Sequence, residues 1–133
     1  MSTKIAKQII TLLCDDIRQE VGNKDSLMGV YHENVYLGEV PAFLQRLSFA
    51  AYISSLKLPL EQGEIFLTLP GDERKKIPVG GFPKSGVGTN VKFHLTFGHL
   101  EIRDTGPAII EIILNNDKKL KIVHKFNIEL RKK

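Results

Sequence analysis

The sequence contains a single cysteine, Cys14, which excludes an internal disulfide bond. Because proteins of reducing compartments keep their thiols free, we expect a cytoplasmic protein. Long hydrophobic runs are also missing: the longest apolar stretches, residues 9–14 and 108–114, fall far short of the roughly 20 residues that span a bilayer. The N-terminal apolar run is too short for an export signal, and no small-residue cleavage site follows it. We therefore expect neither secretion nor a membrane segment.

Motifs for catalysis or cofactor binding are missing as well. No His or Cys residues stand at zinc-ligand spacing, and neither His-Glu-x-x-His nor Gly-x-Ser-x-Gly occurs. The glycine-rich segment 71–90 lacks the Gly-x-x-x-x-Gly-Lys-Ser/Thr order of a phosphate loop. We therefore predict no cofactor and no bound metal, and the sequence favours a protein that is not an enzyme without deciding the question.

What the sequence does contain is typical of a β-sandwich: short apolar segments separated by Gly, Pro, Asn and Asp. The length of 133 residues and the 42% hydrophobic content suit one domain with one core, over residues 1–133. The clearest strand is predicted over residues 119–131, where apolar and charged side chains alternate strictly. Phe126 has the apolar parity and should be buried. His124 shares this parity, which favours a partly buried, hydrogen-bonded imidazole.

Further strands are predicted on either side of the turn at residues 115–118. Residues 108–114 are apolar on nearly both parities, which indicates a central strand. Residues 91–102 alternate too, but the parity changes at Gly98-His99, and we predict a β-bulge there. Segments 5–17 and 44–58 also fit helical spacing, so periodicity alone leaves them open.

The stretch 14–31 is distinctive and runs Cys-Asp-Asp-Ile-Arg-Gln-Glu-Val-Gly-Asn-Lys-Asp-Ser-Leu-Met-Gly-Val-Tyr. Together with Pro41, it resembles the opening of a family of small bacterial proteins of unknown function, a resemblance that is specific over residues 9–41. The resemblance implies an all-β, single-domain, antiparallel immunoglobulin-like (or C2-like) sandwich with no assigned activity. It favours a hairpin in which residues 9–20 and 26–37 pair across Gly22-Asn23. We also predict a strand over residues 47–56.

The positive charge is concentrated at the C-terminus. Residues 118–133 carry seven Lys or Arg against one acid, a charge of +6, so the net +4 of the whole chain leaves −2 for the rest. The predicted strand places Lys119, Lys121 and Lys125 on one exposed face. A second basic group lies in the long Gly/Lys-rich loop 71–90. The candidate partner-binding residues are Arg74, Lys75, Lys76, Lys84, Lys119, Lys121 and Lys125.

These features favour a non-catalytic binding or assembly module that contacts a macromolecular partner through its loops and the basic face of its last strand. A protein partner is favoured over nucleic acid, no membrane contact is expected, and homo-oligomerisation is left open. Since both lysines face solvent in this prediction, replacing Lys121 and Lys125 by Glu should barely change the stability.

Two alternatives remain open. The first is a small enzyme with a site near Asp15, Asp16, His94 or His99, in which Cys14 is a further candidate. Adjacent residues of a strand point to opposite faces, however, so Asp15 and Asp16 should diverge. The second alternative is a weak nucleic-acid-binding domain that uses the basic C-terminal segment and the 71–90 loop.

Overall fold

The computed structural model describes residues 4–79 and 81–131, which form strands joined by turns and loops. The strands are β1 (Ala6–Glu20), β2 (Lys24–Tyr31), β3 (Asn34–Leu37), β4 (Ala42–Leu56), β5 (Gly63–Thr68), β6 (Lys75–Ile77), β7 (Val91–Ile102), β8 (Gly106–Leu114) and β9 (Lys121–Leu130). A four-stranded sheet has the order β2-β1-β4-β7, and a five-stranded sheet has the order β3-β9-β8-β5-β6. The two sheets bury one core between them, which confirms the predicted all-β sandwich. Within the described residues, no helix is long and apolar enough to cross a membrane.

The core follows from the alternation in the strands. In β9, Phe126 is 3% exposed, and Ile122 and Ile128 are buried with it, as the sequence pattern predicts. Phe126 lies opposite Ala108, and Ile122 lies opposite Ile112, so each pair points to the same face of the five-stranded sheet. The central position predicted for residues 108–114 is confirmed, because β8 lies between β9 and β5.

The last strand begins two residues later than predicted. Asn115 and Asn116 adopt positive φ values of 53° and 55°, and the turn continues as far as Leu120. Asn tolerates this left-handed conformation better than most residues do. Lys119 therefore lies in the turn, not on the strand face where the sequence pattern had placed it.

The first hairpin is partly as predicted. Its turn has positive φ at Gly22 (90°) and Asn23 (56°), and residues 13–20 pair with residues 24–31. Residues 34–37 do not continue this pairing. They form β3, which crosses to the five-stranded sheet and pairs in parallel with β9. In this position Val35 and Leu37 are buried.

The parity change at Gly98-His99 is real, but the predicted bulge is wrong. β7 pairs with β4 in one continuous register on both sides of this point, so neither strand carries an extra residue. Instead, His99 has a φ of 52°. At this point the core-facing residues of both β4 and β7 shift between odd-numbered and even-numbered positions. In β7 the core-facing positions pass from Phe97 to Leu100 and Ile102.

The segment 71–90 is not the uninterrupted loop that its composition predicts. It contains β6, which pairs with β5. Ser85 exchanges two backbone hydrogen bonds with Leu60, at 2.8 and 3.0 Å. The ring of Phe82 lies 5.1 Å from that of Phe93, which belongs to the other sheet. Apart from Gly80, which lies outside the described residues, the segment is therefore attached to the sandwich at several points.

β1 bends sharply after Cys14. Tyr52 of β4 lies opposite Ile10, whereas Asp25 of β2 lies opposite Gln19, nine residues further along β1. Nine residues of extended strand span about 30 Å. The Tyr52 hydroxyl nevertheless donates a hydrogen bond to Asp25 Oδ2 at 3.2 Å. The hairpin must therefore bend over the outer face of the four-stranded sheet, and we call its residues 16–28 the strap.

Candidate functional site

The outer face of the five-stranded sheet brings together basic residues that are distant in sequence. Glu111 of β8 lies between two of these cations. Its carboxylate contacts both Arg74, which precedes β6, and Lys121 of β9. Arg74 Nε lies 3.0 Å from Oε1 of this carboxylate, and Lys121 Nζ lies 3.1 Å from Oε2. Lys76 of β6 makes an ion pair with Glu64 of β5 at 3.0 Å. The strand order of the sheet thus unites the two basic segments that the sequence identified separately.

Glu111 is the centre of this charged cluster and is only 9% exposed. Burial raises the pKa of its carboxyl group, but hydrogen bonds from Lys121 and Arg74 lower it further than burial raises it, so the net pKa lies below the ordinary value. The Arg74 guanidinium also lies 3.8 Å above the ring of Phe66. Neither Glu111 nor Phe66 was predicted from the sequence as a site residue. A signal was present, because Glu111 is the only charged residue in an otherwise apolar central strand, and a charge placed there needs partners.

Beside this cluster the same outer face contains a groove of about 620 Å³. Its lining residues are Glu33, Thr68, Pro107, Ala108, Ile109, Lys125, Phe126 and Asn127. Pro107 and Ile109 contribute apolar side chains, whereas Lys125, Asn127 and Glu33 contribute an ammonium, an amide and a carboxylate. The groove therefore offers both apolar contact and hydrogen bonding, which is the usual composition of a binding surface.

The other candidate lysines do not join this cluster. Lys75 belongs to the edge strand β6 and lies opposite Leu67. Its position in the strand therefore faces the core side of the sheet and not the outer face. Lys84 lies beside the bridge between residues 60 and 85, and Lys119 lies in the turn before β9. Only Arg74, Lys76, Lys121 and Lys125 of the seven candidates share the outer face.

The residues of the enzyme alternative are partly brought together. Asp15, Asp16 and His99 line an open hollow of about 540 Å³. The two carboxylates have different partners: Asp15 accepts a hydrogen bond from the Tyr31 hydroxyl, and Asp16 lies 3.3 Å from Arg46 Nη1. Because each carboxylate is occupied by its own partner, the pair does not have the arrangement of an acid and a base that share one substrate.

His94 and Cys14 lie away from this hollow. The Nε2 atom of His94 lies 3.3 Å from Asp25 Oδ2, beneath the strap. Cys14 is fully buried; burial raises the pKa of its thiol, and the charge of Asp15 raises it too. A raised pKa favours the protonated thiol, which is a poor nucleophile. The candidate residues of the enzyme alternative therefore lie at separate places in the structure.

The prediction for His124 is confirmed. Its side chain lies between the sheets, where Nδ1 is 2.8 Å from Thr11 Oγ1. Its ring packs edge-on against Phe49, with 5.6 Å between the centroids. Burial lowers the pKa of the imidazole. His124 is therefore a neutral core residue that joins the two sheets.

Protein-family models give no match to the chain, and the curated proteins give none either. Within residues 4–79 and 81–131, no three His, Cys, Asp or Glu side chains are grouped so that they could hold a metal ion. The resemblance over residues 9–41 stays a prediction.

Proposed function

We propose that the protein is a non-catalytic binding module that contacts another protein through the outer face of its five-stranded sheet. The observation that carries this proposal is the groove of about 620 Å³ next to the Glu111 cluster. Concave surfaces that combine apolar side chains with a few polar groups are typical of binding sites. The core does not need this face, because the opposite face of the same sheet packs on the other sheet.

The charges of this face favour a protein over a nucleic acid. Arg74 and Lys121 share the single negative charge of Glu111, and Lys76 is paired with Glu64. Nucleic-acid binding draws much of its affinity from cations that replace the counterions of the phosphates, and cations held in ion pairs contribute less to it. Where the two basic segments meet, three cations face two carboxylates, so the basic face predicted from the sequence keeps a net charge of only +1 there.

Lys125 differs from these three cations. Among the described residues it has no ion pair, and it lines the groove together with Ile109 and Pro107. A partner segment that places an apolar side chain against Ile109 and a carboxylate near Lys125 would match the groove in both respects. Such mixed contacts, with an apolar centre and a polar rim, are characteristic of protein–protein interfaces.

Charge reversal at one groove residue tests the proposal. The wild-type protein and the Lys125→Glu variant are used to capture proteins from native lysate by cross-linking. Lys119→Glu serves as the matched control, because it makes the same charge change in the turn outside the groove. We expect a captured protein that is lost with Lys125→Glu and kept with Lys119→Glu.

Two results would contradict the proposal. One is capture that Lys125→Glu leaves intact, and the other is an equal loss with both variants, which would show a general charge effect. Binding to double-stranded DNA, measured at increasing salt, completes the test. A steep fall of affinity with salt would favour the nucleic-acid alternative instead.

A further inference from the structure

The outer face of the four-stranded sheet contains a strip of buried residues, so another part of the chain must lie over it. Cys14, Ser48 and Ala50 are each 0% exposed, although their positions in the ladder point away from the second sheet. The strap, residues 16–28, bends over this face, since Asp25 reaches Tyr52 there. At its base, the Ser48 hydroxyl donates to the backbone oxygen of Asp15 at 3.5 Å.

The far end of the strap is held by one carboxylate. Asp25 Oδ1 accepts a hydrogen bond from Lys92 Nζ at 3.1 Å, and Oδ2 accepts one from the Tyr52 hydroxyl at 3.2 Å. The Nε2 atom of His94 lies 3.3 Å from the same Oδ2. The three groups around the carboxylate come from β4 and β7, whereas Asp25 comes from β2. We call these four side chains the latch.

The latch is built around a largely buried carboxylate. The Asp25 side chain is only 6% exposed. Burial raises the pKa of this carboxyl group, but hydrogen bonds from Lys92 and Tyr52 outweigh burial and lower it overall. Burial and the hydrogen bond to Asp25 raise the pKa of Tyr52 to about 12. At neutral pH the carboxylate is therefore charged and the phenol remains a donor, so the hydrogen bonds are charge-assisted.

The other end of the strap has the features of a hinge. The β1–β2 register omits one opposed pair, Asp15 and Gly29. β1 also makes its last pair with β4 one residue earlier, at Cys14. Gly29 has a φ of 66°, and a Cβ atom there would collide with the Asp15 carboxylate. Backbone pairing to β4 thus stops where the bend begins, and glycine is required at that point.

We propose that the strap is a hinged cover that opens as a unit about Asp15 and Gly29 when the latch at Asp25 is released. Opening exposes the strip formed by Cys14, Ser48 and Ala50, while the pairing of β1 and β2 within the strap is kept. Because the strap lies on the sheet opposite the groove, this inference does not depend on the proposed function.

Cys14 reports on the opening directly, because it is the only cysteine of the chain. The rate at which a thiol reagent labels the native protein measures how often the strap opens. The Asp25→Asn variant should label about tenfold faster or more, since it weakens charge-assisted hydrogen bonds, and each 1.4 kcal/mol of lost attachment is a factor of about ten. The matched control is Glu20→Gln, which removes one carboxylate of the same strap outside the latch and should label at the wild-type rate.

Urea separates opening of the strap from global unfolding. At low urea, labelling through the strap should depend only weakly on denaturant, since little surface is exposed. Labelling of the wild type with the full urea dependence of global unfolding would overturn the proposal without any variant. Equal labelling rates for Asp25→Asn and Glu20→Gln would also overturn it. If Asp25→Asn fails to fold, Lys92→Met releases the latch from the sheet side and should give the same acceleration; a wild-type rate for Lys92→Met would be evidence against the latch.

Discussion

Lys121 and Lys125 have the same parity in β9, yet the structure gives them different surroundings. Lys121 Nζ lies 3.1 Å from Oε2 of Glu111, which is only 9% exposed. Lys125 lines the groove and has no ion pair among the described residues. The expectation that replacing both lysines by Glu barely changes the stability is therefore revised, and we expect the two single variants to differ.

The magnitude follows from what Glu111 loses. Lys121→Glu removes a charge-assisted hydrogen bond worth about 1.5–3 kcal/mol. Two like charges about 4 Å apart add a repulsion of about 4 kcal/mol at an effective dielectric constant of about 20. Most of this repulsion relaxes, because the Lys121 side chain is 38% exposed and its replacement can turn into water. Since Arg74 still neutralises Glu111, we expect a total loss of about 2–3 kcal/mol, against less than about 0.5 kcal/mol for Lys125→Glu.

Urea unfolding followed by far-UV circular dichroism measures both free energies of unfolding. Lys121→Met serves as an intermediate variant, because it removes the partner of Glu111 without adding repulsion, and its loss should lie between the other two. Equal stabilities of Lys121→Glu and Lys125→Glu would refute the reasoning, since Glu111 would then not depend on Lys121.

Three further predictions concern the core and the first turn. Phe126→Ala should lower the free energy of unfolding by about 3–5 kcal/mol, because it leaves a cavity between the sheets; a loss below about 1 kcal/mol in urea unfolding would contradict its burial. Gly22→Val should cost about 1 kcal/mol or more, since a β-branched residue is strained at the φ of 90° found there, and an unchanged melting temperature would argue against this turn. Burial lowers the pKa of His124, so its contribution is complete above the unfolded pKa of about 6.5 and is lost as the pH falls through that value towards the folded pKa. Urea unfolding between about pH 7.5 and 5 should show this loss in the wild type and a smaller one in His124→Gln; parallel curves would exclude the effect.

The sequence by itself determined the features that depend on neighbouring residues. Alternation in the last strand predicted the burial of Phe126 and the inward position of His124, because successive side chains of a strand must point to opposite faces. Gly22 and Asn23 are compatible with the first turn, since few other residues tolerate positive φ, but the choice of a hairpin there came from the resemblance over residues 9–41. The fold class followed from many such local signals pointing the same way.

Only the tertiary structure decided which distant residues meet. Arg74, Glu111 and Lys121 come together because the order of the strands places β6 and β9 on either side of the β5–β8 pair, and no periodicity along the chain encodes that order. Asp25 reaches Tyr52 only because β1 bends where its pairing with β4 ends. Alternation specifies the face on which a side chain lies. The partner across that face depends on sheet order, register and bends, which arise from contacts between residues far apart in sequence.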